Sequence, residues 1–132
     1  MIMWFDNAHG KEKITYIFNN ELSLSEIELD KFIFHDISRL TLGFNIKNLP
    51  SLIPEKWEKN KLNTLALTLT FTEVSTIKLD GKKIGFECTP IIDAIENKTR
   101  VIINNENFNF LCIAKFMFID SIVPYLDNRW TK

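Results

Sequence analysis

Hydrophobic and polar residues alternate most cleanly between Asn63 and Thr72. Leu65, Leu67, Leu69 and Phe71 fall on one side, and Thr64, Ala66, Thr68, Thr70 and Thr72 on the other. A strand with one buried and one solvated face requires this period of two. The same alternation recurs at Leu40, Leu42, Phe44 and Ile46. Before that run, Leu24 to Asp36 alternates with Ile27, Leu29 and Ile33 apolar, but Phe32 and Phe34 break the parity. A bulge, a bend or two-sided burial is therefore expected near Asp30-Lys31. With a tight connection at Asp36 to Arg39, these two runs predict a hairpin. Further strands are predicted at Val74 to Leu79, ending in the turn signal Asp80-Gly81, and at Ile84 to Thr89, ending at Pro90.

The last third predicts a second hairpin, Thr99 to Ile103 with Asn107 to Ile119, across Asn104-Asn105-Glu106. In its long arm Phe108, Phe110, Cys112, Phe116 and Phe118 share one face, with Asn107, Asn109 and Lys115 on the other. Leu111, Ile113 and Met117 also lie on that other face, so two-sided burial near the sheet centre is expected. Ile91 to Glu96 reads equally as a strand or a helical turn. Helical spacing occurs at Ile14, Ile17 and Phe18, with Asn19-Asn20 as the exit. A short C-terminal helix is expected at Asp120 to Leu126. The loop from Asn48 to Leu62 holds Pro50, Pro54 and a possible helical turn at EKWEK. The fold class is mainly β (α+β): an antiparallel meander forming a curved sheet or small sandwich, in a single domain over 1–132.

Composition narrows the function classes. At 132 residues, 45 % hydrophobic and 25 % charged, the chain buries a core without needing disulfides or metal. Its 16 basic and 17 acidic residues leave a net charge of -1, which disfavours nucleic acid and anionic membranes as partners. The opening MIMWFDNAHGKEK lacks the basic start and apolar run of a secretory signal. No stretch approaches the ~18 apolar residues of a membrane span, so a cytoplasmic location is expected. Cys88 and Cys112 are too far apart for a CxxC pair and read as buried free thiols.

Catalytic signals are sparse. No HExxH, GxSxG, Walker loop or dinucleotide fingerprint is present, and four glycines cannot build a phosphate cradle. No cofactor and no metal are expected. His35-Asp36 is the one acid-base pair, but strand neighbours point to opposite faces, which favours a turn-capping aspartate beside a partly exposed histidine. Glu26, Glu28 and Asp30 form a carboxylate series that is either a solvated face or a negative stripe for a basic partner. Their spacing does not converge on one calcium ion. Trp57, among Lys56, Lys59 and Lys61, is either a loop anchor or a contact residue.

The segment SLSEIEL at Ser23 to Leu29, the strand RLTLGFNI, the block PEKWEKNKLNTLALTLTF and the strand IKLDG stand in a characteristic order. Over residues 13 to 126 this order resembles the immunity protein 50 family of bacterial polymorphic toxin systems. Positions Leu24, Glu28, Trp57, Asn63 and Thr64 match that family's pattern. Its usual histidine and aspartate are replaced by Ser25 and Glu26, so no role resting on that histidine is implied. The resemblance implies a non-enzymatic cytoplasmic protein that binds and neutralises a cognate toxin domain. Glu26, Glu28, Asp30, Trp57, Lys56 and Lys59 are the expected partner-binding residues. The competing reading is a small-ligand-binding β protein with Phe108, Phe110, Phe116 and Phe118 lining a pocket, followed by an enzyme built on His35 and Asp36.

Overall fold

A computed structural model describes residues 3–36, 38–49, 53–81, 83–106 and 108–130, with Trp130 described by its backbone only. Pro50 and Asn107 lie outside the described residues. The elements are α1 (Glu12–Phe18), β1 (Ile27–Asp36), β2 (Arg39–Ile46), α2 (Glu55–Lys59), β3 (Thr64–Gly81), β4 (Glu87–Cys88), β5 (Ile91–Ile95), β6 (Lys98–Asn105) and β7 (Phe108–Tyr125), with a 3₁₀ turn at Asn128–Trp130. The strands form one antiparallel sheet in the order β4-β1-β2-β3-β7-β6-β5.

Alternation dictates the inner face. Leu40, Leu42 and Phe44 pair with Phe71, Leu69 and Leu67, and all six are at most 1 % exposed. Burying each such side chain is worth about 1.5–3 kcal/mol. The helices close this core with Ile14, Phe18 and Trp57, and Trp57 meets Phe18 edge-on at 5.6 Å. Asn19 ends α1 in the left-handed conformation at φ 52, the role expected of the Asn19-Asn20 exit. Across the interior, Phe32 of β1 packs on Phe110 of β7 at 5.1 Å and Phe86 on Phe108 at 5.0 Å. The Asn105 side chain of β6 also donates to the Glu87 carbonyl of β4 at 3.2 Å. The sheet is therefore rolled, so that its β6 end meets its β4 edge around one core.

The β1–β2 hairpin forms as expected, and the first of its two register shifts falls between Leu29 and Lys31, at the place where the sequence broke parity; the second falls between Phe34 and Asp36. EKWEK is helical, and Ile91–Ile95 is a strand. It closes on β6 through Glu96 and Asn97, both at positive φ (48 and 64), the geometry of a two-residue hairpin turn. Cys88 and Cys112 are buried free thiols, whose pKa values burial raises to about 11 and about 12.

Four expectations need correction. β3 runs unbroken from Thr64 to Gly81, because Glu73 (φ 51) and the shift between Val74 and Thr76 kink the strand without ending its ladder with β7. The run Ile84 to Thr89 contributes only Glu87–Cys88 as a strand. Asp120 to Leu126 is not a helix: β7 continues to Tyr125, pairing Ser121, Val123 and Tyr125 with Thr68, Ala66 and Thr64. The strands also do not follow sequence order throughout, since β7 returns to pair with β3 and β4 crosses to β1.

The phenylalanine face divides as well. Buried positions on β7 switch from Phe108, Phe110, Cys112 and Ala114 to Met117 and Ile119. Phe116 and Phe118 consequently face outward, where the His9 ring stacks on Phe118 at 4.8 Å. The four phenylalanines do not line one pocket. An open cleft of about 670 Å³ touches Phe86 and Phe108 but is otherwise lined by polar residues and Gly81.

Candidate interaction surface

Strand register builds the outer face row by row. Ile33, Thr41, Thr70 and Phe118 lie side by side across β1, β2, β3 and β7; next come Lys31, Gly43, Thr68 and Ser121, then Glu28, Asn45, Ala66 and Val123. Small residues thus occupy the two central strands, flanked by larger ones on β1 and β7. Ile33 and Val123 remain 40 % and 51 % exposed. The central residues are covered by polar neighbours. The bulge at Asp30 carries Lys31 over Gly43, where a Cβ on the glycine would stand 2.8 Å from the lysine Cβ. No larger residue fits there without displacement.

A chain of side-chain hydrogen bonds crosses the first of these rows. His35 Nε2 lies 2.7 Å from Thr41 Oγ1, which lies 3.1 Å from Thr70 Oγ1, and Thr70 hydrogen-bonds the Asp120 carboxylate. Asp36 turns away and accepts the Ser38 backbone N–H at 3.1 Å. His35 and Asp36 therefore do not form an acid-base pair. The turn-capping aspartate is what the structure shows.

At the other end of the face, the C-terminal segment is clasped onto the sheet. Asn63 receives the Asp127 N–H at 2.8 Å and donates to the Asp127 carbonyl at 3.0 Å. Arg129 reaches back over β1 to grip Glu28 bidentately, at 2.9 and 3.0 Å, and holds Asp127 at 2.7 Å. Asn45 gives Glu28 a further bond at 2.8 Å. The arginine bonds lower the Glu28 pKa from its usual value and draw Asp127 down to about 2, burial opposing both shifts. Glu28 thus stays ionised while its partners hold. Burial, aided by the Asp127 charge, raises the Tyr125 phenol.

The immunity protein 50 family matches residues 10–125. The chain belongs to the immunity protein 50 family. Neither a curated protein nor a solved structure matches it. The immunity-family positions read from the sequence fall into two structural groups. Leu24 and Trp57 are core anchors, 6 % and 7 % exposed. Glu28 and Asn63 hold the clasp, and the buried Thr64 hydroxyl donates to Asn63 Oδ1 at 2.9 Å, steadying that side chain.

The six expected contact residues are not brought together. Trp57 is a buried loop anchor rather than a surface group, because Phe18 and the core claim its indole. Lys56 and Lys59 are exposed on α2, which serves the inner core, whereas Glu28 lies on the outer face. Glu26 occupies a left-handed turn (φ 53) ahead of β1, its N–H bound to Thr89. Asp30 sits at the bulge, exposed, and its charge reaches Tyr125. The carboxylates do not form one stripe. Sequence reasoning missed Arg129, Asp127, Asp120 and Thr70, whose roles depend on strand pairing that no local pattern encodes. Among the described residues no helix is long and apolar enough to cross a membrane, and no three His, Cys, Asp or Glu side chains gather as a metal site.

Proposed function

We propose that this immunity-family protein acts in the cytoplasm by binding a cognate polymorphic toxin domain, contact-delivered or secreted, and neutralising it through direct contact without catalysis. The carrying observation is family membership over residues 10–125 in a molecule whose two described α-helices both pack into the inner core, through Ile14, Phe18 and Trp57, rather than onto the outer face. That face is rigid, ladder-bonded backbone bearing small central residues, exposed Ile33 and Val123, the partly exposed Phe116 and Phe118, and the acidic groups Glu28, Asp30 and Asp120. A preorganised sheet loses little entropy on docking, and apolar groups rimmed by charges suit a specific protein interface. Glu28 presents its charge through the clasp, so its contribution depends on Arg129.

Co-expression with the toxin domain encoded beside it tests this reading. Cells are expected to survive induction, and the purified pair to co-elute. Cell death together with separate elution of two folded proteins contradicts the proposal.

A further inference from the structure

The hydrogen-bond chain on the outer face has a direction fixed by elementary donor counting. An ionised carboxylate only accepts, so Thr70 spends its single hydroxyl proton on Asp120. Thr70 Oγ1 must then accept from Thr41, which spends the Thr41 proton. Thr41 Oγ1 has only lone pairs left for the imidazole, so Nε2 of His35 must carry hydrogen. In the neutral ring the other nitrogen, Nδ1, is then an unprotonated acceptor. Among the described residues Nδ1 makes no hydrogen bond, and His35 is exposed. Thr41 and Thr70, only 8 % and 5 % exposed, keep water away from the middle of the chain.

We propose that Asp120, Thr70 and Thr41 lock His35 in its Nε2–H tautomer and so present Nδ1 as an acceptor for a hydrogen-bond donor of the toxin. This rests on the immunity reading above. Asp120, Thr70 and Thr41 are positioning residues, and His35 is the contact. While the ring is neutral the arrangement selects for partner chemistry: an N–H or O–H group opposite Nδ1 gains a bond, and a carbonyl or carboxylate, which offers only lone pairs, gains none. A donor-matched toxin gains one directional bond beside the apolar Ile33 and Phe118 of the same row.

Long-range imidazole ¹⁵N spectra of the full chain at about pH 8, where histidine is neutral, test the lock without any toxin. Wild type is expected to show protonated Nε2 and unprotonated Nδ1. Thr70→Val and Asp120→Asn are expected to give mixed tautomers, and Thr70→Ser to restore the wild-type pattern. An Nδ1–H or mixed wild-type ring overturns the proposal. In the second arm, His35→Ala is expected to weaken binding of the adjacently encoded toxin domain about threefold to tenfold, the worth of one neutral hydrogen bond. Unchanged affinity of a folded His35→Ala variant overturns the contact role. If wild type binds no toxin, the immunity reading fails, and the spectra still decide the lock.

Discussion

The two faces of the same strands are built on different physics. On β2 and β3, Leu40, Leu42, Phe44, Leu65, Leu67, Leu69 and Phe71 disappear into a packed interior at 0–1 % exposure. One residue along each strand, Thr41, Asn45 and Thr70 are nearly as buried, at 5–9 %. Their cover is a canopy of polar side chains: His35 over Thr41, Asp120 on Thr70, and Glu28 on Asn45. Apolar packing is non-directional and tolerates little exchange of volume. A hydrogen-bonded canopy is directional and leaves its outer atoms in water. The inner face therefore carries the stability, and the outer face is free to carry recognition.

Breaking the inner face gives the largest stability effect. Leu69→Ala is expected to cost about 2–5 kcal/mol in chemical denaturation by removing buried methyls and leaving a cavity, with toxin affinity of the folded fraction unchanged. A loss below 1 kcal/mol removes the claim that this face dominates. Gly43→Ala comes next, at about 1–3 kcal/mol of overpacking, because its Cβ would stand 2.8 Å from that of Lys31. Replacing Lys31 with glycine in the same chain is expected to recover most of that loss; no recovery shows that the clash is not with Lys31.

The smallest of these effects sharpens the comparison through pH. Arg129 holds Asp127 near a pKa of about 2, against an ordinary 3.8, and lowers Glu28 as well. Between those values the unfolded chain binds more protons than the native one, so the clasp's contribution is present above the ordinary carboxylate range. It is lost as pH falls toward 2. Arg129 is half exposed, so the effect is modest and screened by salt. Arg129→Gln is expected to show a flatter stability profile than wild type between about pH 4.5 and 2. Parallel profiles contradict the clasp.

Much of the inner face was legible because alternation is a local property. Leu65 to Phe71, the β1–β2 hairpin and the parity break at Asp30-Lys31 each declare themselves within ten residues. Elements that depend on distant partners did not. Asp120 to Leu126 holds enough apolar residues for one helical turn, and only the ladder with Thr64 to Thr68 makes it a strand. Phe116 and Phe118 share parity with Phe108 and Phe110, and the kink opposite Glu73 sends them to the other side. The site was less legible still. Glu28 stood out as one of three spaced carboxylates, but its partner Arg129 lies 101 residues away. The sequence left Trp57 open between anchor and contact, and packing against Phe18 decided for the anchor.

The central claim is that the outer face receives the toxin, and Thr68→Arg addresses it most directly. Thr68 is half-buried at the centre of that face, between Gly43 and Ser121. A long cation there obstructs docking and leaves the inner core untouched. Calorimetric titration of the folded variant with the toxin domain is expected to show affinity reduced at least about 100-fold, or 2.7 kcal/mol. Wild-type affinity in a variant of wild-type stability contradicts the account and places the interface elsewhere on the molecule.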